Sequence, residues 1–134
     1  MIQKQTVSVV KGINCIYIPT SNIKKSATWY MENLNLVLLI DVNEESTQAQ
    51  LKITPEQSIF LIKTPEKFNL TYKEIDGHEQ CLLTLEVTNI NDLHEKLRNN
   101  LDDIEEIQDH NECGSSFYIK DPDGNKIDIW GGWG

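Results

Sequence analysis

The stretch Phe117-Tyr118-Ile119-Lys120-Asp121-Pro122-Asp123-Gly124-Asn125-Lys126-Ile127-Asp128 reads as two strands joined by a tight turn. Proline presets φ inside a turn, and Gly or Asn accepts the positive φ that closes it. The flanking runs, Ser115 to Lys120 and Lys126 to Trp130, therefore predict a hairpin. On its second arm Ile127 and Ile129 share one face and Asp128 falls on the other. Reading backwards, Ile104 to Gln108 is a short strand. Before it, Ile90, Leu93, Leu97 and Leu101 mark one face of a helix, with Asn89 placed to cap it. Cys81 to Val87 is a strand. The order is β-α-β-β-β.

The same order occurs upstream. Gly12 to Thr20 is a strand with two largely apolar faces, which predicts a central position. Asn22 is placed to cap a helix whose apolar face is Ile23, Ala27, Tyr30 and Leu34. Strands follow at Leu36 to Val42, Gln48 to Ile53 and Ser58 to Lys63, with Thr54-Pro55-Glu56-Gln57 as a turn. Asn22 and Asn89 are 67 residues apart, as are Ile23 and Ile90, Leu34 and Leu101, and Pro55 and Pro122. Recurrence of caps, helix faces and turn prolines at one spacing is the signature of a repeat. We expect one α+β domain over 1–134, built from tandem β-α-β-β-β modules at about 12–63 and 81–130. The polar segment 64–80 joins them as a surface connection. A curved sheet with a helix on one face leaves its other face needing cover, so two such units enclose a cleft, the natural ligand site.

Composition narrows the function. Twelve Lys plus Arg against 21 Asp plus Glu give a net charge of −9, which argues against binding nucleic acid. No apolar run is long enough to span a bilayer. Met1 to Thr6 lacks the apolar stretch of a signal peptide. Three cysteines, Cys15, Cys81 and Cys113, are an odd number with no CxxC spacing, which fits reduced thiols in a cytoplasm. There is no Gly-rich phosphate loop and no Ser-His-Asp spacing.

With these residues in view, the chain resembles the vicinal oxygen chelate superfamily, which includes glyoxalase I, bleomycin-resistance proteins, fosfomycin-resistance enzymes and extradiol dioxygenases. Three stretches carry the resemblance: Ile13 to Ile18 with Ser26 to Tyr30, Leu82 to Leu97, and the closing hairpin with its Asp-Pro-Asp-Gly-Asn turn. The resemblance implies paired modules, frequent homodimerisation and, in many members, a divalent metal acting as a Lewis acid. It places the metal ligands on the first and last strand of each module. Those positions here are Cys15, Phe60, Leu82 and Asp128. Phe60 and Leu82 cannot ligate, and a catalytic metal wants roughly three protein ligands. The resemblance therefore implies no metal and no other cofactor here, a divalent metal being the alternative.

What remains is a cleft expected to be lined by Cys15, Tyr17, Phe60, Leu82, Thr84, Asp128 and Trp130, apolar and aromatic with a few polar groups. The leading expectation is metal-independent binding of a small apolar or aromatic molecule, with a cationic one suited to so acidic a chain. A metal-dependent lyase, isomerase or dioxygenase with a rearranged ligand set is the alternative. A third is an interaction module whose pocket is filled by its own side chains. Whether the chain is an enzyme stays open, and no catalytic residue is assigned. Cys15 reads as a small buried hydrophobe. His94 reads as a surface or boundary residue, while His78 or His110 with Asp128 is the route to a rebuilt metal site. The carboxylates from Asp102 to Glu106 read as a solvated turn.

Overall fold

The computed structural model describes residues 7–66 and 69–134. Met1 to Thr6, read above for a leader, and Lys67-Phe68 of the connecting segment lie outside the described residues. The first module comprises β1 (Cys15–Thr20), α1 (Ile23–Leu34), β2 (Val37–Leu38), β3 (Gln48–Thr54) and β4 (Gln57–Lys63). Its sheet has the order β1-β4-β3-β2, with β1 parallel to β4, so the strand expected to be central is the end strand of its sheet. Next comes a small hairpin, β5 (Thr71–Lys73) and β6 (Glu79–Cys81). The second module is β7 (Thr84–Glu86), α2 (Ile90–Asn100), β8 (Gln108–Asp109), β9 (Ser115–Lys120) and β10 (Lys126–Trp130). Its sheet order, β7-β10-β9-β8 with β7 parallel to β10, repeats the first. The α+β fold of two mixed sheets expected from the repeat is the fold observed.

Helix α1 forms as its sequence dictates. The Asn22 side chain accepts from Lys25 N at 3.0 Å, and Asn35 ends the helix in the left-handed region at φ 57°. Its apolar face, Ile23, Ala27 and Tyr30, is buried with Ile18, Leu51, Ile59 and Leu61. In the second module Ile90 and Leu97 of α2 join Phe117, Ile119, Ile127 and Ile129 in the same core cluster. Burying each of these isoleucine, leucine and phenylalanine side chains stabilises the fold by roughly 1.5–3 kcal/mol. The residues alternating with these point the other way. Tyr17, Phe60 and Gln50 stand side by side on the first sheet, and Thr84, Asp128 and Tyr118 on the second.

The Asp-Pro-Asp-Gly-Asn turn forms as predicted, with Gly124 N donating to Asp121 O at 2.9 Å and Gly124 at φ 82°. It also joins the modules. Tyr30 Oη donates to Asp121 Oδ2 at 2.7 Å, and Asn125 Nδ2 donates to Pro19 O at 2.9 Å. Asp123 accepts from Thr20 Oγ1, from Ser21 N at 2.8 Å and from Ser21 Oγ at 2.6 Å. Burial pushes the Asp121 carboxyl up, while donors from Asn125, Tyr30 and Asp123 pull it back part of the way.

Several expectations need correction. The strand expected over Cys81 to Val87 is broken: β6 ends at Cys81 and β7 starts at Thr84. Leu82 N turns to Leu70 O, whereas Leu83 O accepts from Asp128 N, so the chain changes partners at this point. Leu36 to Val42 shrinks to Val37–Leu38, and Ile104 to Gln108 contributes only Gln108, paired with Ser116. Asn89 makes no side-chain cap; it sits at φ 52° and donates to Asp92 Oδ2 at 2.7 Å. His94 is buried, not superficial: Nε2 donates to the Glu105 carbonyl at 2.7 Å and its ring stands edge-on to Phe117.

Candidate functional site

Two aromatic residues open the site. Tyr17 and Phe60 are register partners on β1 and β4, with ring centroids 5.6 Å apart and planes tilted by 32°. Tyr17 projects into a cleft of about 400 Å³ walled by Pro19, Ile62, Leu70, Thr71 and Leu82. Tyr17 and Leu82 remain 64% and 60% exposed, so the apolar surface is open to an incoming molecule. Leu70 holds its wall position at φ 54°, a region a bulky residue enters only under constraint. Asn69 and Leu82, at the edge of the cleft, are tied down by backbone bonds from Lys126 N to Asn69 O at 3.0 Å and from Leu82 N to Leu70 O at 2.8 Å. Cys15, two residues before Tyr17 on the same face, pushes the Tyr17 hydroxyl up through a hydrogen bond.

A second group of site residues lies on the other sheet. Thr84 Oγ1 donates to Asp128 Oδ2 at 2.9 Å, while Asp128 Oδ1 is buried without a hydrogen-bond partner. Tyr118 is the neighbour of Asp128 on β9, and Lys126 Nζ lies 4.4 Å over the Tyr118 ring while pairing with Glu79 at 3.0 Å. Burial raises the Cys81 thiol, with the Asp128 charge adding to the effect and Lys126 opposing it. Burial likewise raises the Tyr118 hydroxyl, again with Asp128 as a contributor.

The residues predicted for the site thus fall into groups. Tyr17 and Leu82 line the apolar cleft, with Phe60 and Cys15 beside Tyr17. Thr84 and Asp128 form the polar pair. Trp130 is engaged elsewhere: Nε1 donates to Cys113 O at 2.7 Å and its ring meets Trp133 edge-on at 4.9 Å. The walls from Asn69, Leu70 and Thr71 were missed, because the polar connecting segment reads as a bare linker. The signal was there in Asp76-Gly77, a hairpin turn dipeptide flanked by the β-forming run Leu70-Thr71-Tyr72. A second cavity, about 680 Å³, collects Asp102, Asp103 and Glu105 opposite Tyr118, Lys120 and Lys126. So part of the acidic run borders a cavity.

Among the described residues no three His, Cys, Asp or Glu side chains come together as a metal cluster. His78 contacts Asp76 in the hairpin turn at 2.9 Å, His94 is spent on Glu105, and His110 Nε2 lies 2.8 Å from Ser116 Oγ. Phe60 and Leu82 offer no donor atom. These residues do not fit a catalytic divalent metal.

The paired modules and the cleft between tyrosine, leucine and the hairpin define a class. The chain belongs to the glyoxalase/bleomycin resistance protein/dioxygenase superfamily, whose family model matches residues 12–129. No curated protein matches the sequence. Among solved structures it is similar to a putative glyoxalase family protein from Bacillus anthracis, at TM-score 0.71 and 15% identity over 95% of this chain and 99% of that one. It is similar to an antibiotic binding protein from a Streptomyces species, at TM-score 0.68 and 18% identity over 94% and 99%. A fosfomycin resistance protein from Listeria monocytogenes matches at TM-score 0.70 and 12% identity over 92% and 93%. At such identities the likeness is one of fold.

Proposed function

We propose that the chain binds a small apolar or aromatic molecule in the cleft between Tyr17 and Leu82, without a metal. The observation that carries this reading is the open apolar wall of Tyr17, Pro19, Ile62, Leu70 and Leu82 around about 400 Å³. Ligand sites typically have roughly 300–1,000 Å³ and a mostly apolar lining with few polar groups. Thr71 and Asn69 are the polar groups at its edge. The ring of Tyr17, supported from behind by Phe60, offers a flat surface on which an aromatic ligand stacks. The antibiotic binding protein of the same fold lends support to a binding role.

The test is a thermal-shift panel of apolar and aromatic compounds against the purified protein, with calorimetric titration of those that stabilise it. Tyr17→Ala and Leu82→Ser should each weaken the best compound by about tenfold, the equivalent of roughly 1.4 kcal/mol. Binding by both variants as tight as that of the natural protein, or no stabilising compound, would sink the reading.

A further inference from the structure

We infer that Asp128 anchors the basic nitrogen of the ligand, so that the molecule this site takes is an apolar or aromatic amine. The inference rests on the cleft reading above and adds the chemical class. Its starting point is an imbalance within one side chain. Asp128 Oδ2 is satisfied by Thr84 Oγ1 at 2.9 Å, whereas Oδ1 is buried with no donor. A buried acceptor left unpaired costs on the order of 1–3 kcal/mol, and more when it belongs to a charged group. Asp128 does not itself line the cleft, but it is bonded to the neighbour of the wall residue Leu82, and its unpaired oxygen is a position that an incoming donor would relieve. A carboxylate accepts most strongly from a cationic N–H.

The placement fits a two-part ligand. Asp128 N donates to Leu83 O at 3.1 Å, one residue from the cleft wall at Leu82. The backbone N of Lys126, two residues before Asp128 on β10, donates to the Asn69 carbonyl at the edge of the cleft. The strand that carries Asp128 is therefore stitched to the cleft at both points. Lys126, the neighbouring cation on β10, is paired with Glu79 and packed over Tyr118 and not with Oδ1. The apolar part of an amine would lie on Tyr17 and Leu82, and its nitrogen would reach past Leu82 to the carboxylate. Oδ1 is shielded from water, so the donor must displace what covers it, and the ion pair then forms at low effective dielectric.

The experiment is calorimetric titration with a matched pair, naphthylethylamine and naphthylethanol, which share ring and chain and differ in ammonium against hydroxyl. The amine should bind the natural protein at least tenfold more tightly than the alcohol. Asp128→Asn should abolish that preference by weakening the amine to the level of the alcohol. Asp128→Ser, with a shorter neutral side chain, should do the same, which guards against a fold defect in either variant. Equal binding of the two probes, or a preference that survives both substitutions, would overturn the role of Asp128 and leave the cleft reading intact. Binding of neither probe would overturn both.

Discussion

Tyr30 Oη and Asp121 Oδ2 are 2.7 Å apart, with 91 residues of chain between them. The tyrosine belongs to the first module's helix and the carboxylate to the second module's hairpin turn. Asp121 is buried, and its other donors are Asp123 N, Asn125 N and Asn125 Nδ2, all from its own turn. Among the described residues only Tyr30 ties the carboxylate to the other module by a hydrogen bond. Tyr30→Phe keeps the ring in the core and removes one hydrogen bond to a carboxylate. The expected cost is about 1.5–3 kcal/mol of unfolding free energy in urea titration. A loss under about 0.5 kcal/mol would mean that Asp123 and Asn125 hold the modules together without it.

The same pair sets a pH dependence. Burial, first of all, and the charge of Asp121 push the Tyr30 hydroxyl well above its ordinary value near 10. The folded protein thus keeps this proton more tightly than the unfolded chain. The resulting stabilisation is complete below about pH 10 and is lost as pH rises beyond it. Tyr30→Phe has no such proton to lose. Its stability deficit against the natural protein should shrink above about pH 10, read as converging urea midpoints. A constant gap across that range would contradict the assignment.

The repeat was legible because each module must solve the same packing problem with the same signals. Asn22, Tyr30 and the turn at Asp121 to Asn125 carry local chemistry that reads directly from residue type. What stayed hidden depended on long-range pairing. His94 follows Leu93 on the helix, and its burial is set by Phe117 and the Glu105 carbonyl, neither of which has a helical period. The turn's second role as a bolt needed Thr20, Ser21 and Pro19 brought to it from about a hundred residues away. The cleft walls at Leu70 and Thr71 were missed for a different reason: Asp76-Gly77 signals the turn, but the strand beside it does not stand out. A three-residue strand is too short to show a period against a polar background.

Gly114 tests the hold of the Cys113 carbonyl on Trp130. It lies at φ 81°, and an added Cβ would run into the Gly132 carbonyl oxygen and stand 2.8 Å from Trp130 Nε1. Gly114→Ala therefore meets both a disfavoured backbone and a backbone clash. We expect a loss of more than about 1 kcal/mol, with a change in tryptophan emission as Trp130 leaves the Cys113 carbonyl. A variant as stable as the parent would show that the chain end is loosely held.

Leu70 offers the sharpest test of the cleft wall, because two effects there oppose each other. The side chain is buried and lines the cleft, while its backbone sits at φ 54°. Leu70→Ala removes the buried side chain and keeps the backbone penalty, since alanine also has a Cβ. Leu70→Gly removes the same side chain and releases the penalty, worth about 1 kcal/mol for a non-glycine residue in this region. Glycine should therefore give the more stable variant by about that amount, although it is the residue that loses most entropy on folding. Both variants should weaken a cleft ligand alike, because both delete the same wall. Unfolding titrations that rank alanine above glycine would show that the left-handed backbone at position 70 is not a source of strain.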